Sequence, residues 1–131
     1  MLLFEGLDNY GLLVLRVFLG IIFIYHGIPK LKMPEAMAKG MGKSTGFVVL
    51  LGLAELLAGL ALALGFYAEI GALITGLIML GALYYKIFAW KVSFFAMDKM
   101  GWEFDLMLLG ASVAVLLLGA GNISLSSLLG F

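Results

Sequence analysis

Cysteine is absent from the 131 residues. The chain alone therefore carries no disulfide framework, no dithiol relay and no iron–sulfur cluster; its compartment is left open by this. Histidine occurs once, as His26, too few for the two imidazoles of a membrane b-type haem. Charge is scarce as well. Asp, Glu, Lys and Arg make up 12% of the chain, about half the roughly 25% of an ordinary soluble domain. No metal-ligand spacing, Gly-rich phosphate loop or nucleophile–base motif is present, so neither catalytic residues nor metal ligands are assigned. Nothing points to nucleic acid. The eight methionines sit on apolar faces, where packing accounts for them.

What the chain has in excess is apolar sequence, 64% of the total against about 45–50% in soluble proteins. The two deviations together predict an all-α integral membrane protein, and 131 residues leave room for one domain only. The central stretch is Phe47–Phe66, twenty residues that reach roughly 30 Å as a helix, the thickness of a hydrocarbon core. Its single ionisable residue is Glu55. A carboxylate inside a span costs about 2.5–3.5 kcal/mol on insertion scales, so Glu55 is expected to face other protein groups. Gly52 and Gly59 share nearly the same face and would let a neighbouring helix come close to it.

In chain order, residues 1–10 form a short amphipathic lead with Tyr10 as an interfacial anchor. Glu5 and Asp8 precede the first apolar run without a basic n-region or cleavage site, so no removable signal peptide is expected. The first span covers about 11–28 and is expected to stop at Pro29. A polar connection follows, where Pro34 can open a short surface helix that Gly40 and Gly42 end. Spans two and three, at 47–66 and about 71–88, are joined by a turn of a few residues and so run antiparallel. Residues 89–102, with Trp90, Phe94, Phe95 and Trp102, suit an interfacial or re-entrant segment. The fourth span covers about 103–119, with Glu103, Met107, Gly110, Ala114 and Leu117 as its stripe. Gly119-Ala-Gly-Asn122 ends it, and the tail from Ser124 to Phe131 is apolar enough to return to the interface. The expected fold is a four-helix membrane bundle with an interfacial segment between helices three and four.

The lysines set an orientation. Lys30, Lys32, Lys39 and Lys43 lie between spans one and two; Lys86, Lys91 and Lys99 lie at or after the end of span three. The opposite side carries Glu5, Asp8 and Glu69. The positive-inside rule then places the loops 29–46 and 89–102 in the cytoplasm and both termini outside, in a multi-pass protein of the cell membrane.

Each span brings a charged or titratable group to one half of this bundle: Arg16, His26 and Lys30 from the first, Glu55 from the second, Lys86 from the third and Glu103 from the fourth. Intramembrane ionisable groups on facing helices mark a functional pocket by default. Glu55 falls between His26 and Arg16 in depth, and the long Arg16 side chain is expected to reach toward it. Plainer readings stay open. An Arg16–Glu55 pair can serve only to lock helix register, His26 can be an interfacial residue with a satisfied hydrogen bond, and Lys30 and Lys86 can snorkel to headgroups. Asp105 lies about 160° away from Glu103 and reads as interfacial. Tyr84 and Tyr85 read as belt residues.

Several segments resemble the DoxX family. Leu15-Arg16-Val17-Phe18-Leu19-Gly20 with His26-Gly27-Ile28-Pro29-Lys30-Leu31 is similar to its first span. Ala54-Glu55-Leu56-Leu57-Ala58-Gly59 and the apolar residues up to Gly65 are similar to its second. Gly101-Trp102-Glu103-Phe104, then Gly119-Ala120-Gly121-Asn122-Ile123-Ser124-Leu125, resembles its fourth span and exit. The likeness runs over about residues 12–128 and departs at Ser126, where the family often has aspartate. It implies a small four-helix membrane protein, with relatives that are subunits of quinone-linked respiratory enzymes, among them a terminal quinol oxidase and a thiosulfate:quinone oxidoreductase. The function expected on this basis is a membrane subunit of a quinone-coupled oxidoreductase, with no intrinsic cofactor. A quinone is its compatible ligand, and its partners are the bilayer and other subunits of a redox complex. A non-catalytic anchor or assembly subunit is the alternative, and a small-molecule or ion carrier a third, which four short spans would build only as a homo-oligomer.

Overall fold

Each long apolar run is a helix in the computed structural model, which describes residues 3–130. The outermost residues of the expected lead and tail, 1–2 and 131, lie outside the described residues. The order is α1 (Asp8–Lys32), α2 (Pro34–Met41), α3 (Thr45–Leu64), α4 (Ala68–Tyr84), α5 (Trp102–Leu118) and α6 (Leu125–Leu129). No strand occurs among the described residues. Three stretches are long and apolar enough to cross a membrane: Asp8–Lys32, Thr45–Leu64 and Ala68–Ala89. The last includes a π-helical turn, Tyr85–Ala89, that continues α4. At 17 residues, α5 is at the short end of the roughly 17–25 that a span takes.

Pro29 does not stop the first helix, contrary to expectation. It lies inside α1, where it forgoes a single backbone donor in the last turns and its fixed φ fits a helix. The break comes instead at Met33 (φ −132°), the residue before Pro34. A residue preceding proline is pushed out of the α region, and Pro34 then occupies the first turn of α2. Gly42, at φ +68°, closes α2. Ser44 accepts from the Phe47 amide to start α3. At the far end of α3, Gly65 adopts φ +70° and the Phe66 amide donates to the Ala61 carbonyl, a Schellman turn into α4.

The α1–α3 pair is the closest contact. A Cβ on Gly20 would fall 2.5 Å from the Gly59 carbonyl oxygen, and one on Gly27 would fall 2.7 Å from that of Gly52. The two glycine pairs set the antiparallel register and bring the backbones together, as small residues do between helices in lipid. α4 packs on α3 and on α5, and α5 returns to α1. The interior joins Leu19 and Phe23 of α1, Leu62 of α3, Ala72 and Met79 of α4, and Leu108 and Val115 of α5. Within it Thr75 and Ser112 share a 2.8 Å hydroxyl–hydroxyl hydrogen bond between α4 and α5. Ser112 Oγ donates its one proton to the Leu108 carbonyl at 2.8 Å, which leaves Thr75 as the donor across the helices, with the Ala72 carbonyl 3.1 Å from its Oγ1. Residues 90–101 are non-helical and fold back on the start of α5. There the carbonyls of Ser93 and Phe94 accept from the Trp102 and Glu103 amides, which a helix N-terminus otherwise leaves unpaired.

Candidate functional site

Side-chain direction decides where the charges meet. A Cα–Cβ bond tilts toward its helix N-terminus. For α1 and α4, which end on the lysine-rich side, that direction is inward; for α3 and α5, which begin there, it is outward. Lys30 thus turns back into the protein instead of snorkelling. Its Nζ donates to the His26 carbonyl at 3.0 Å and to Glu55 Oε2 at 2.9 Å, and both side chains are buried. Lys86, in the π-helical turn, likewise places Nζ 2.7 Å from Asp105 Oδ2. This is an ion-pair contact without hydrogen-bond alignment. Lys30 stands in the last turn of α1 and Asp105 in the first turn of α5, where the helix dipoles favour those charges; Glu55 is at the middle of α3 and depends on Lys30 itself. The His26 ring stacks on Phe104 with centroids 6.0 Å apart, and its nitrogens make no hydrogen bond among the described residues.

Two expectations are corrected. Arg16 does not approach Glu55. Its side chain leans toward the N-terminus of α1, away from the acid, and is fully buried at the opposite end. Nη1 donates to the Leu62 carbonyl at 3.2 Å and Nη2 to the Ile123 carbonyl at 2.6 Å. The guanidinium thereby holds the C-terminal end of α3 against the α5–α6 connection, and it makes no ion pair among the described residues. Ser126, at the position of departure from the family pattern, joins the same corner: its amide donates to the Gly65 carbonyl and its hydroxyl accepts from the Tyr67 amide. The acid that α5 turns inward is Asp105, not Glu103. Glu103, Met107 and Gly110 face outward, while Asp105, Leu108, Ala111, Ser112 and Val115 are buried. α5 is apolar nearly all round, so hydrophobic period selects no face. The available signal was polar: Asp105 and Ser112, two turns apart, mark one stripe as interior.

A cavity of about 480 Å³ opens among these groups, within the roughly 300–1,000 Å³ of small-molecule sites. Its polar lining comprises His26, Lys30, Glu55, Lys86 and Asp105, with Lys43 and Tyr85 toward the loops. The rest is largely apolar, including Phe23, Leu51, Ile78, Met79 and Leu108. Four of the six expected pocket residues (His26, Lys30, Glu55 and Lys86) therefore line one cavity, and Arg16 and Glu103 do not. Asp105, Lys43 and Tyr85 are the additions. Lys43 donates to the Tyr85 hydroxyl at 2.5 Å and lies 3.8 Å from the centre of its ring. Tyr85, expected in the interfacial belt, instead opens the π-helical turn and lines the cavity.

Apolar helices of spanning length around buried ion pairs define a polytopic membrane protein. The DoxX family model matches residues 11–90, more than half of the chain, from the first turn of α1 to the end of α4 and its π-helical turn. The protein belongs to the DoxX family. The matched segment ends before α5, so the resemblance noted over the fourth span lies beyond it. No curated protein and no solved structure matches the chain.

Proposed function

We propose that the protein is a membrane subunit of a quinone-linked respiratory oxidoreductase, and that the cavity takes a quinone head group and handles the accompanying protons. The observation that carries this reading is the gathering of two ion pairs and one unbonded imidazole in an otherwise apolar cavity of about 480 Å³. A quinone ring is an apolar plate with two carbonyl acceptors, and each two-electron reduction takes up two protons. The ammonium groups of Lys30 and Lys86 and the His26 ring supply donors to such oxygens. Glu55 and Asp105 carry or release protons beside them. In this reading the electrons come from a partner subunit.

In this reading α5 is a fourth span, residues 89–102 lie at the interface, and the lysine-rich loops face the cytoplasm with both termini outside. Purified protein in nanodiscs, titrated with a water-dispersible short-chain quinone, should show saturable quenching of Trp90, which also lines the cavity. Glu55→Gln and His26→Ala should each weaken it about fivefold or more. Quenching that is no stronger than in empty-lipid controls would remove the proposal. The anchor reading draws on one observation, that Lys30 and Glu55 already satisfy each other. It expects Glu55→Gln to lower the melting temperature without touching quinone binding.

A further inference from the structure

The walls of the cavity differ in what closes them. Near their shared turn, α3 and α4 are in contact: a Cβ on Gly71 would meet the Ala58 carbonyl oxygen at 2.9 Å. Toward the lysine-rich end the two helices part, and a Cβ on Gly81 would meet nothing within 4 Å. The cavity occupies this cleft. Phe47 of α3 and Leu77 of α4 line it and are 45% and 59% exposed. Gly81, likewise lining and exposed, completes the rim. Across the loop end of the same cleft, Lys43 reaches from the α2–α3 connection to Tyr85, whose ring is 5.7 Å from that of Trp90. The charged groups line the same cavity in two pairs, Lys30 of α1 with Glu55 of α3 and Lys86 of the π-helical turn with Asp105 of α5.

Resting on the quinone reading above, we infer that the gap between α3 and α4 at Gly81 is a lateral portal to the bilayer, and that the ligand is an amphiphile with a long apolar tail. Its head lies against the ion pairs while its tail leaves between Phe47, Leu77 and Gly81 into lipid. Three features select this occupant. The rim is wholly apolar and belongs to two helices of spanning length. The polar end is strapped by the Lys43–Tyr85 contact. The charges stand at the inner end, where a polar head group finds donors and an alkyl chain finds none. A water-soluble substrate would need the reverse, a polar mouth at the loops.

The test compares a quinone bearing a long isoprenoid tail with the same ring lacking a tail, in nanodiscs, for the unaltered protein and for Gly81→Trp. Thermal melting of each variant reports on folding, and Gly110→Trp, on an outward face of α5 equally free of neighbours, reports on added bulk elsewhere. A Trp at position 81 fills the gap but not the head-group end. The Kd of the tailed compound should rise about tenfold or more, and that of the tail-less one should change less than about twofold. Gly110→Trp should leave both unchanged. Equal loss of both compounds, or loss of neither, overturns the portal while leaving the quinone reading in place. Absence of binding by both compounds in the unaltered protein overturns the two together.

Discussion

Replacing Lys30 by Met tests the buried ion pair most directly. At 2.9 Å two unit charges attract by about 6 kcal/mol at an effective dielectric of about 20. Several kcal/mol per ion of lost hydration oppose this, so the intact pair is worth little net. Removing one partner is different, because the attraction goes while the burial of the other charge remains. Lys30→Met should therefore destabilise by about 3–5 kcal/mol. Glu55→Leu should cost a comparable amount, since it leaves the ammonium with the His26 carbonyl alone. The double replacement, Lys30→Met with Glu55→Leu, is expected within about 1 kcal/mol of the unaltered protein, giving a coupling energy of several kcal/mol. Reversible unfolding in mixed micelles, followed by circular dichroism, measures all four corners of the cycle. Single changes that each cost under about 1 kcal/mol and simply add would refute the argument, because they would show both groups to be hydrated.

Asp105→Asn should destabilise the protein by about 1–3 kcal/mol, and Glu103→Gln, on the outward face, should stay within about 0.5 kcal/mol; melting of the two variants in detergent compares them directly. Arg16→Met should cost about 2–4 kcal/mol through two lost charge-assisted bonds to carbonyls. Hydrogen exchange at residues 119–125 should rise with it, as the α5–α6 connection loses its hold. Gly20→Val should destabilise by about 1–3 kcal/mol or more, because its Cβ would meet the Gly59 carbonyl oxygen, whereas Gly110→Val should be near neutral in the same melting assay. A reporter fused after Phe131 should read as extracytoplasmic; a cytoplasmic signal overturns the orientation.

Composition and run length alone specified a helical membrane protein, since twenty apolar residues have few other ways to satisfy their backbone in lipid. Gly52 and Gly59 likewise marked a face of α3 that a neighbouring helix would approach, but that the neighbour is α1, through Gly20 and Gly27, is set by the packing. Period failed where a helix is apolar on every side. On α5 the tertiary contacts chose Asp105 over Glu103, because Lys86 and Thr75 face that stripe. Depth along a helix was a poor guide to partners as well. Arg16 and Lys30 share one face of α1, yet both lean toward its N-terminus. That direction carries Lys30 to Glu55 and carries Arg16 away to the end of α3. Linear order shows that apolar spans carry charge, because hydrophobic transfer is local and additive. Which charges meet depends on helix polarity and rotation, which only the packed chain sets.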